Sequence, residues 1–477
     1  LFSSWISCCR EWIDAIYSYK FKKDTMNTVD TIAAVCTGIG GAISIIRISG
    51  KDSLGSANKV WRGTQSLSKG NARKMLMGQA LTLADGSGEP ALAVYMPGPN
   101  SYTGEDIVEI HCHGGALCTK RTLDMALASG ARAAEPGEFT YRAFINGKMD
   151  LTQAEAVADL ITAHSDMALH IAERQISGFL KNAVNGIREK LIDILSECES
   201  RMDFPEEDLD WVGAENHSKL VNELQTKIKE LLNSRTEGIV LRNGIRVVIA
   251  GRPNAGKSSL LNLLLGFDRA IVTQLPGTTR DTLEELANIR NIPVKLVDTA
   301  GIREAENLIE GIGIDRSKES IKQAQIIFWM LDASTEDTIE EFQEMKKHVK
   351  GRENVICIWN KIDACPHASL PATSLPIAKI SVTNKNGIEN LLDLFEQAVW
   401  GFPHTEDPEI AVSSRHAALL TEAIEALPEA AERILEEDWE LAAVNLRAAI
   451  SAMGAITGED ADPDILDNIF SRFCIGK

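Results

Sequence analysis

The residues Gly251-Arg252-Pro253-Asn254-Ala255-Gly256-Lys257-Ser258 follow directly on the apolar run Ile245-Arg246-Val247-Val248-Ile249-Ala250. A polyphosphate needs backbone N–H donors packed at its surface without Cβ obstruction, a cation at its terminal groups and a hydroxyl for Mg²⁺. Gly251, Gly256, Lys257 and Ser258 supply these, with Ala255 and Ser259 completing the turn into a helix. A glycine-rich turn before an ordinary helix would share this spacing, so the distinction rests on three further strings. Asp298-Thr299-Ala300-Gly301 closes the apolar stretch Ile292–Val297, placing an acid at a strand's carboxyl end where a Mg²⁺ contact and a γ-phosphate sensor belong. Asn360-Lys361-Ile362-Asp363 follows Val355-Ile356-Cys357-Ile358-Trp359 and offers a carboxylate that accepts from N1 and the exocyclic N2 of guanine together. Adenine lacks that donor pair, so GTP is favoured. Ser381-Val382-Thr383 sits where GTP-binding proteins place a last base-contacting loop, with valine in place of the usual alanine.

The residue after Asp-Thr-Ala-Gly is Ile302, where GTPases related to Ras carry the glutamine that orients the attacking water. Another group must do that work. Thr273-Gln274-Leu275-Pro276-Gly277-Thr278-Thr279-Arg280-Asp281 reads as a first switch in which a threonine can ligate Mg²⁺. Arg280 reads either as an arginine finger or as a solvated loop residue paired with Asp281. Asn254 inside the phosphate loop, with this switch, is similar to GTPases in which a potassium ion takes the finger's electrostatic role.

The elements that must position these residues follow from periodicity. Apolar runs ending in each string read as strands of an α/β domain. Helical periodicity begins at Thr152, where Thr152-Gln153-Ala154-Glu155 reads as a capping box. Val157, Leu160, Ile161, Ala168 and Ile171 make one stripe, and Val184, Ile187, Leu191, Ile194 and Leu195 make another, implying two long helices packed together. The helical code returns after Phe402-Pro403, with a kink expected near Pro428 and Asp462-Pro463 opening a last helix. Two helical blocks around an α/β block are most simply one domain carrying an insertion.

Outside this centre the strings are distinctive. Gly98-Pro99-Asn100-Ser101-Tyr102-Thr103-Gly104-Glu105-Asp106 leads into Ile107-Val108-Glu109-Ile110-His111-Cys112-His113-Gly114-Gly115; Pro136-Gly137-Glu138-Phe139-Thr140-Tyr141-Arg142 and Asn146-Gly147-Lys148-Met149-Asp150 follow, and the chain closes on Phe473-Cys474-Ile475-Gly476-Lys477. With the central strings, the sequence from Thr31 onward closely resembles the family of GTPases that modify uridine 34 of tRNA, the MnmE or TrmE family.

The resemblance implies a fold of α/β plus all-α class: a folate-binding α/β domain over 26–147, a helical domain in two parts over 148–240 and 403–477, and a Ras-like P-loop GTPase domain over 241–402 inserted into it. It implies a homodimer that works with an FAD-dependent partner, as a heterotetramer, to add an aminomethyl or carboxymethylaminomethyl group to the wobble uridine of certain tRNAs. The one-carbon unit would come from 5-formyl-tetrahydrofolate or a related tetrahydrofolate. Folate ligands fall on Arg47, Glu109, Lys148 and Lys477, K⁺ ligands on Asn254, Thr273, Leu275 and Thr278, and Mg²⁺ ligands on Ser258 and Thr279. The glutamate that orients the hydrolytic water falls on Glu310, standing in for the glutamine missing at Ile302; Thr279 shares the catalytic assignment. GTP itself would touch Asn254 to Ser259, Thr273 to Thr279, Asp298 to Gly301, Asn360, Lys361, Asp363 and Ser381.

Residue patterns offer plainer alternatives at several of these positions. Arg47 and Glu109 lie in alternating strands and would serve as outward-facing charges. Glu310 sits among Glu304 and Glu306 in an acidic stretch. Cys474 reads either as a thiolate nucleophile near folate or as an inert buried cysteine. His111-Cys112-His113 lacks a second ligand group at metal-binding spacing.

The formal charge of −19 argues against a large basic surface that holds RNA by phosphate neutralisation, so RNA contact must be local or shared with a partner. Nine cysteines without a Cys-x-x-Cys pair fit a reducing interior, and with no apolar run of membrane-spanning length the expectation is a bacterial cytoplasmic protein ahead of a mitochondrial-matrix one. Residues 1–25 carry acids and lack the marks of a leader; they are read as an upstream extension, with Met26 as the start. The competing functional readings are a ribosome-assembly or signalling GTPase, which shares the nucleotide strings, and a folate-binding scaffold with a regulatory nucleotide site.

Overall fold

The structure, a computed structural model, describes residues 30–82, 86–163, 165–203, 212–234, 240, 244–267, 284–298, 320–335, 337–349, 351–365, 373–400, 412–459 and 461–477. Contacts divide the chain into two compact units, Leu1–Met149 with Ala461–Lys477, and Asp150–Asp460.

The first unit is built on a sheet of β1 (Ile32–Val35), β2 (Ile43–Ser49), β3 (Trp61–Gly63), β4 (Leu76–Leu81), β5 (Gly88–Met96), β6 (Ile107–His113) and β7 (Arg132–Ala133), in the order β3-β4-β5-β6-β2-β1-β7. Its pairs are antiparallel except β1 with β7. Period-two alternation sends Ile46 and Ile48 of β2, and Val108, Ile110 and Cys112 of β6, into a core shared with α1 (Ser53–Val60) and α2 (Ala116–Ala128). Arg47, Glu109 and His111 are therefore left on the opposite face. Next comes α3 (Glu138–Ile145), and on it packs the terminal helix Pro463–Phe470. Phe470 is fully buried, its ring centroid 5.3 Å from Tyr141, 6.3 Å from Phe144 and 5.7 Å from Phe473. Ala461–Lys477, the end of the expected helical part 403–477, falls in this compact unit by its contacts. The stretch Ile465, Leu466, Ile469, Phe470 does form a helix, but its aromatic end finds its partners on α3.

The second unit opens with α4 (Leu151–Thr162), α5 (Asp166–Ile176), α6 (Phe179–Asp203) and α7 (Ala214–Asn233). The first expected long helix is thus two. Ser165 adopts extended backbone and its hydroxyl accepts the Ala168 N–H, so the chain restarts there as a new helix while the apolar phase carries on. The capping box also lies two residues earlier than expected: Asp150 Oδ1 accepts from Gln153 N at 2.9 Å, and Gln153 Oε1 accepts from Asp150 N at 3.0 Å. Thr152 instead donates its hydroxyl to Asp150 at 2.7 Å.

A second sheet follows, made of β8 (Ile245–Gly251), β9 (Glu284–Ile289), β10 (Ile292–Asp298), β11 (Ile326–Asp332), β12 (Val355–Asn360) and β13 (Ile377–Lys379) in the order β13-β12-β11-β8-β10-β9, parallel except for β9. With it come α8 (Lys257–Phe267), α9 (Thr338–His348) and α10 (Ile388–Trp400). Val247, Ile249, Phe328, Met330, Ile356 and Ile358 fill one side, and Val248, Ala250, Ile327, Leu331, Cys357 and Trp359 the other. Burial on both faces explains why these strands read as unbroken apolar runs.

Last in this unit are α11 (Ser414–Leu435) and α12 (Trp439–Thr457). Helices from before and after the sheet pack together: Val184, Leu191 and Ile194 of α6, Leu224 and Ile228 of α7, Leu420 and Leu427 of α11, and Leu446 and Met453 of α12 share one core. Helix α11 continues through Pro428. The proline has no N–H for the Ile424 carbonyl, and Gln225 Nε2 of α7 donates to that carbonyl at 3.1 Å instead.

Candidate functional site

In the second unit, β8 delivers the chain to Gly251 at φ +136°, where a Cβ would stand 2.3 Å from the Met330 carbonyl oxygen. At Gly256, φ +103°, a Cβ would stand 2.3 Å from Asn360 Nδ2. Both positions therefore need glycine for conformation and for space. Lys257 is buried at the start of α8, and its Nζ donates to the Arg252 carbonyl at 2.8 Å, holding the cation over its own loop. Asn254, at φ +64°, is exposed, as are Ser258 and Ser259 in the first turn of α8. Ala255 is buried.

The buried Asn360 amide joins this loop to the base side. Its Nδ2 donates to the Ala255 carbonyl at 2.8 Å and its Oδ1 accepts from Val382 N at 3.2 Å. Ser381 is fully buried and its hydroxyl accepts from Asn384 N at 3.2 Å. Asp363 is exposed just beyond β12, and Lys361, at φ +64°, places Nζ 2.6 Å from Asp332 Oδ2. Asp298 ends β10 in register with Ile249 of β8. The structure thus brings Asn254 to Ser259, Asn360, Lys361 and Ser381 together at the carboxyl ends of parallel strands. Thr273, Gln274, Leu275, Pro276, Gly277, Thr278, Thr279, Thr299, Ala300, Gly301 and Glu310 lie outside the described residues.

In the first unit, Arg47 and Glu109 are cross-strand partners on β2 and β6, with Arg47 Nε donating to Glu109 Oε1 at 2.9 Å. Glu109 Oε2 lies 3.5 Å from His111 Nε2. Burial pushes the Glu109 carboxyl up, but His111 and Arg47 outweigh it and hold the group below the usual carboxylate range. The guanidinium of Arg47 lies 5.4 Å from the Tyr102 ring centre and 5.5 Å from that of Phe139. The chain end is seated beside them: Phe139 N donates to the Lys477 carbonyl at 3.2 Å, Ile475 packs with Ile32, Ala34 and Phe139, and Gly476 at φ +97° has no room for a Cβ against the Val35 carbonyl. Burial raises the Cys36 thiol to about 11, with the charges of Arg47, Glu109 and Lys477 all acting on it. Lys148 runs along Gly104 in the loop that carries Tyr102. Cys474 is exposed, contrary to the reading of it as a buried packing residue.

Two family profiles match the chain: one described as the MnmE helical domain, over residues 151–474, and one described as the GTP-binding protein TrmE N-terminus, over residues 31–148. The tRNA modification GTPase MnmE of Natranaerobius thermophilus is 40% identical over 459 residues, covering 94% of this chain and 100% of that protein. The chain belongs to the MnmE family of tRNA modification GTPases. The protein of the same name from Alkaliphilus metalliredigens is 41% identical over 459 residues, covering 94% of this chain and 99% of its own; that from Clostridioides difficile is 40% identical over 458 residues, with 94% and 99% covered. The resemblance stated from motifs is thus met at the level of family.

Relative to the MnmE motifs, sequence reasoning missed Cys36, Tyr102, Phe139 and His111 as neighbours of Arg47 and Glu109. Only His111 left a signal, since its position two residues after Glu109 on a strand puts it on the same face. Among the described residues no group of three or more His, Cys, Asp and Glu could hold a metal ion, and no helix is long and apolar enough to cross a membrane.

Proposed function

We propose that this chain hydrolyses GTP in the service of tRNA modification, with the nucleotide held between Asn254–Ser259 and Asn360-Lys361-Ile362-Asp363. The observation that carries the reading is the Asn360 amide, which ties a glycine-walled phosphate loop to the base-side loop in one rigid piece. Lys257 would turn from the Arg252 carbonyl to the terminal phosphates, the N–H groups opening α8 would face the phosphate oxygens, and Asp363 would accept from guanine. The Ser258 hydroxyl, exposed in the first turn of α8, fits a Mg²⁺ ligand, with Thr279 as its partner. When bound, Mg²⁺ neutralises charge on the phosphates.

The finer parts of the reading rest on family membership. The target is the wobble uridine. Asn254, Thr273, Leu275 and Thr278 hold K⁺ in the place of an arginine finger, and Glu310 orients the hydrolytic water. The GTPase domain is an insertion in the helical domain, a view supported by the core that α6 and α7 share with α11 and α12. Arg47, Glu109, Lys148 and Lys477 receive a tetrahydrofolate, supported by the chain end lying against Phe139 and by the rings facing Arg47. Cys474 is the candidate nucleophile there. The protein works as a homodimer with an FAD-dependent partner.

Phosphate release by the full chain in potassium and in sodium salts tests the nucleotide chemistry. Turnover should fall by orders of magnitude in sodium; equal rates would remove Asn254 from the mechanism. Mass spectrometry of tRNA from cells lacking the gene should show undecorated uridine 34, and full decoration would defeat the tRNA reading.

A further inference from the structure

The carboxylate of Asp332 belongs to none of the nucleotide strings, yet it is the partner of one of their residues. Asp332 ends β11 in register with Asn360 of β12. Its Oδ2 accepts from Lys361 Nζ at 2.6 Å, and its Oδ1 accepts from Ser334 N at 3.0 Å and from the Ser334 hydroxyl at 2.5 Å. Ser334 thus fixes Oδ1 from two donors and leaves Oδ2 turned to the lysine. Burial raises this carboxyl, but the bonds from Lys361 and Ser334 outweigh it and hold the group below its ordinary value. The turn itself is pinned, since the Asp332 carbonyl accepts from the Thr338 hydroxyl at 2.6 Å and Ala333 N donates to the Asn360 carbonyl at 2.9 Å. One turn into α9, Glu341 accepts the Arg252 N–H of the phosphate loop at 3.2 Å. The short segment Asp332–Glu341 therefore touches both halves of the nucleotide site from behind.

Lys361 needs this support. It sits at φ +64°, a left-handed conformation that is unfavourable for a residue with a side chain, and its side chain is 38% exposed, so packing alone does not hold it.

We infer that Asp332 is a positioning residue for guanine-nucleotide binding, fixing Lys361 so that the turn carrying Asp363 is presented to the base ready-made. The inference rests on the reading of Asn360-Lys361-Ile362-Asp363 as the base-contacting segment. Asp332→Asn keeps the shape and removes the charge that holds Lys361. In the full chain, KM for GTP should rise about tenfold while kcat moves less than about twofold, because the loss falls on holding the nucleotide and not on the reacting phosphate. Combining Asp332→Asn with Lys361→Ala should cost no more than Lys361→Ala alone. An unchanged KM, or independent multiplying losses, would overturn the inference. Should thermal melting show that Asp332→Asn does not fold, Ser334→Ala removes one donor from the carboxylate and should raise KM about twofold to threefold; no change there would also overturn it. Asp363→Asn separates this outcome from failure of the underlying reading: an amide at that position matches the donor and acceptor edge of xanthine, so selectivity should move from GTP toward xanthosine triphosphate. If selectivity stays with GTP, the reading of the segment falls; if it moves while Asp332→Asn leaves KM untouched, only the role of Asp332 falls.

Discussion

The same three residue types meet in both units of this molecule, and two of these meetings are used differently. In the first unit Glu109 accepts from Arg47 and lies against His111; in the second Glu155 of α4 accepts from Arg415 at 2.7 Å and lies 2.8 Å from His416 Nε2. The fork of Arg415 is fully engaged. Its Nη1 and Nη2 donate to the Ala455 and Ile456 carbonyls at 2.9 Å each, in the last turn of α12, where the Ala455 carbonyl otherwise has only the capping Gly458 N–H at 3.3 Å. The Arg47 side chain makes one hydrogen bond, through Nε, among the described residues, and its guanidinium stands over two aromatic rings. An arginine whose fork is filled by backbone carbonyls is a clamp. An arginine held by one side-chain N–H, with its guanidinium beside aromatic faces, keeps the donors that the proposed folate reading would use.

The largest effect expected from this contrast is at the clamp. Glu155→Gln leaves the partly buried Arg415 guanidinium and the almost fully buried His416 without their anion, and should destabilise the second unit by about 3 kcal/mol. Chemical denaturation monitored by circular dichroism measures it. The pH dependence has a fixed sign. Burial raises the Glu155 carboxyl, but His416 and Arg415 dominate and hold it far below the ordinary range. A depressed folded value means that its stabilisation is complete above the unfolded value of about 4.3 and is lost as pH falls through the folded one. The difference between parent and Glu155→Gln should therefore be constant from neutral pH to about 5 and shrink on further acidification. A gap that widens on acidification would show that the carboxylate is not the stabilising partner.

The corresponding change at the other site should move binding and leave the fold. Arg47→Ala should weaken 5-formyl-tetrahydrofolate binding by about 30-fold, the size expected for truncating one partner of a charged contact, while shifting stability by only about 1 kcal/mol, because Arg47 gives up one side-chain hydrogen bond and Glu109 keeps His111 beside it. Arg47→Lys should restore little, since a point charge does not reproduce a fork. Calorimetric titration reads the affinity and thermal melting reads the fold. If Arg47→Ala unfolds the first unit as readily as Glu155→Gln unfolds the second, both arginines are clamps and the contrast is lost.

The two sites were unequally legible. Strand ends of the parallel sheet were readable because unbroken apolar runs such as Val247–Ala250 stop at glycine or at an acid, and the chemistry begins where the run stops. The cap at Asp462-Pro463 was equally local, and Asp462 does accept from Asp464 N at 2.8 Å. The surroundings of Arg47 were not readable, because Tyr102 and Phe139 reach it from two separate stretches with no shared period. The docking of Phe470 on Tyr141 and Phe144 was hidden for the same reason. The division of α4 from α5 was hidden differently: Leu160, Ile161, Ala168 and Ile171 keep a helical phase across a backbone break that one serine makes.

The smallest effect tests how α4, which carries the acceptor of the clamp, is started. Asp150 and Thr152 are both good capping types, and each has a partner three residues on, Gln153 and Glu155, so the sequence fits two registers. The second register would take Glu155 for the cap, whereas in the structure that carboxylate is engaged by Arg415 and His416 and the cap is made by Asp150 and Gln153. Asp150→Ala should cost about 1 kcal/mol, as for loss of an N-cap. Thr152→Ala should cost clearly less, since its hydroxyl only donates to the Asp150 carboxylate. Equal losses in a denaturation series would restore Thr152 as the cap, and with it a competing demand on Glu155 that would weaken the case for a dedicated clamp.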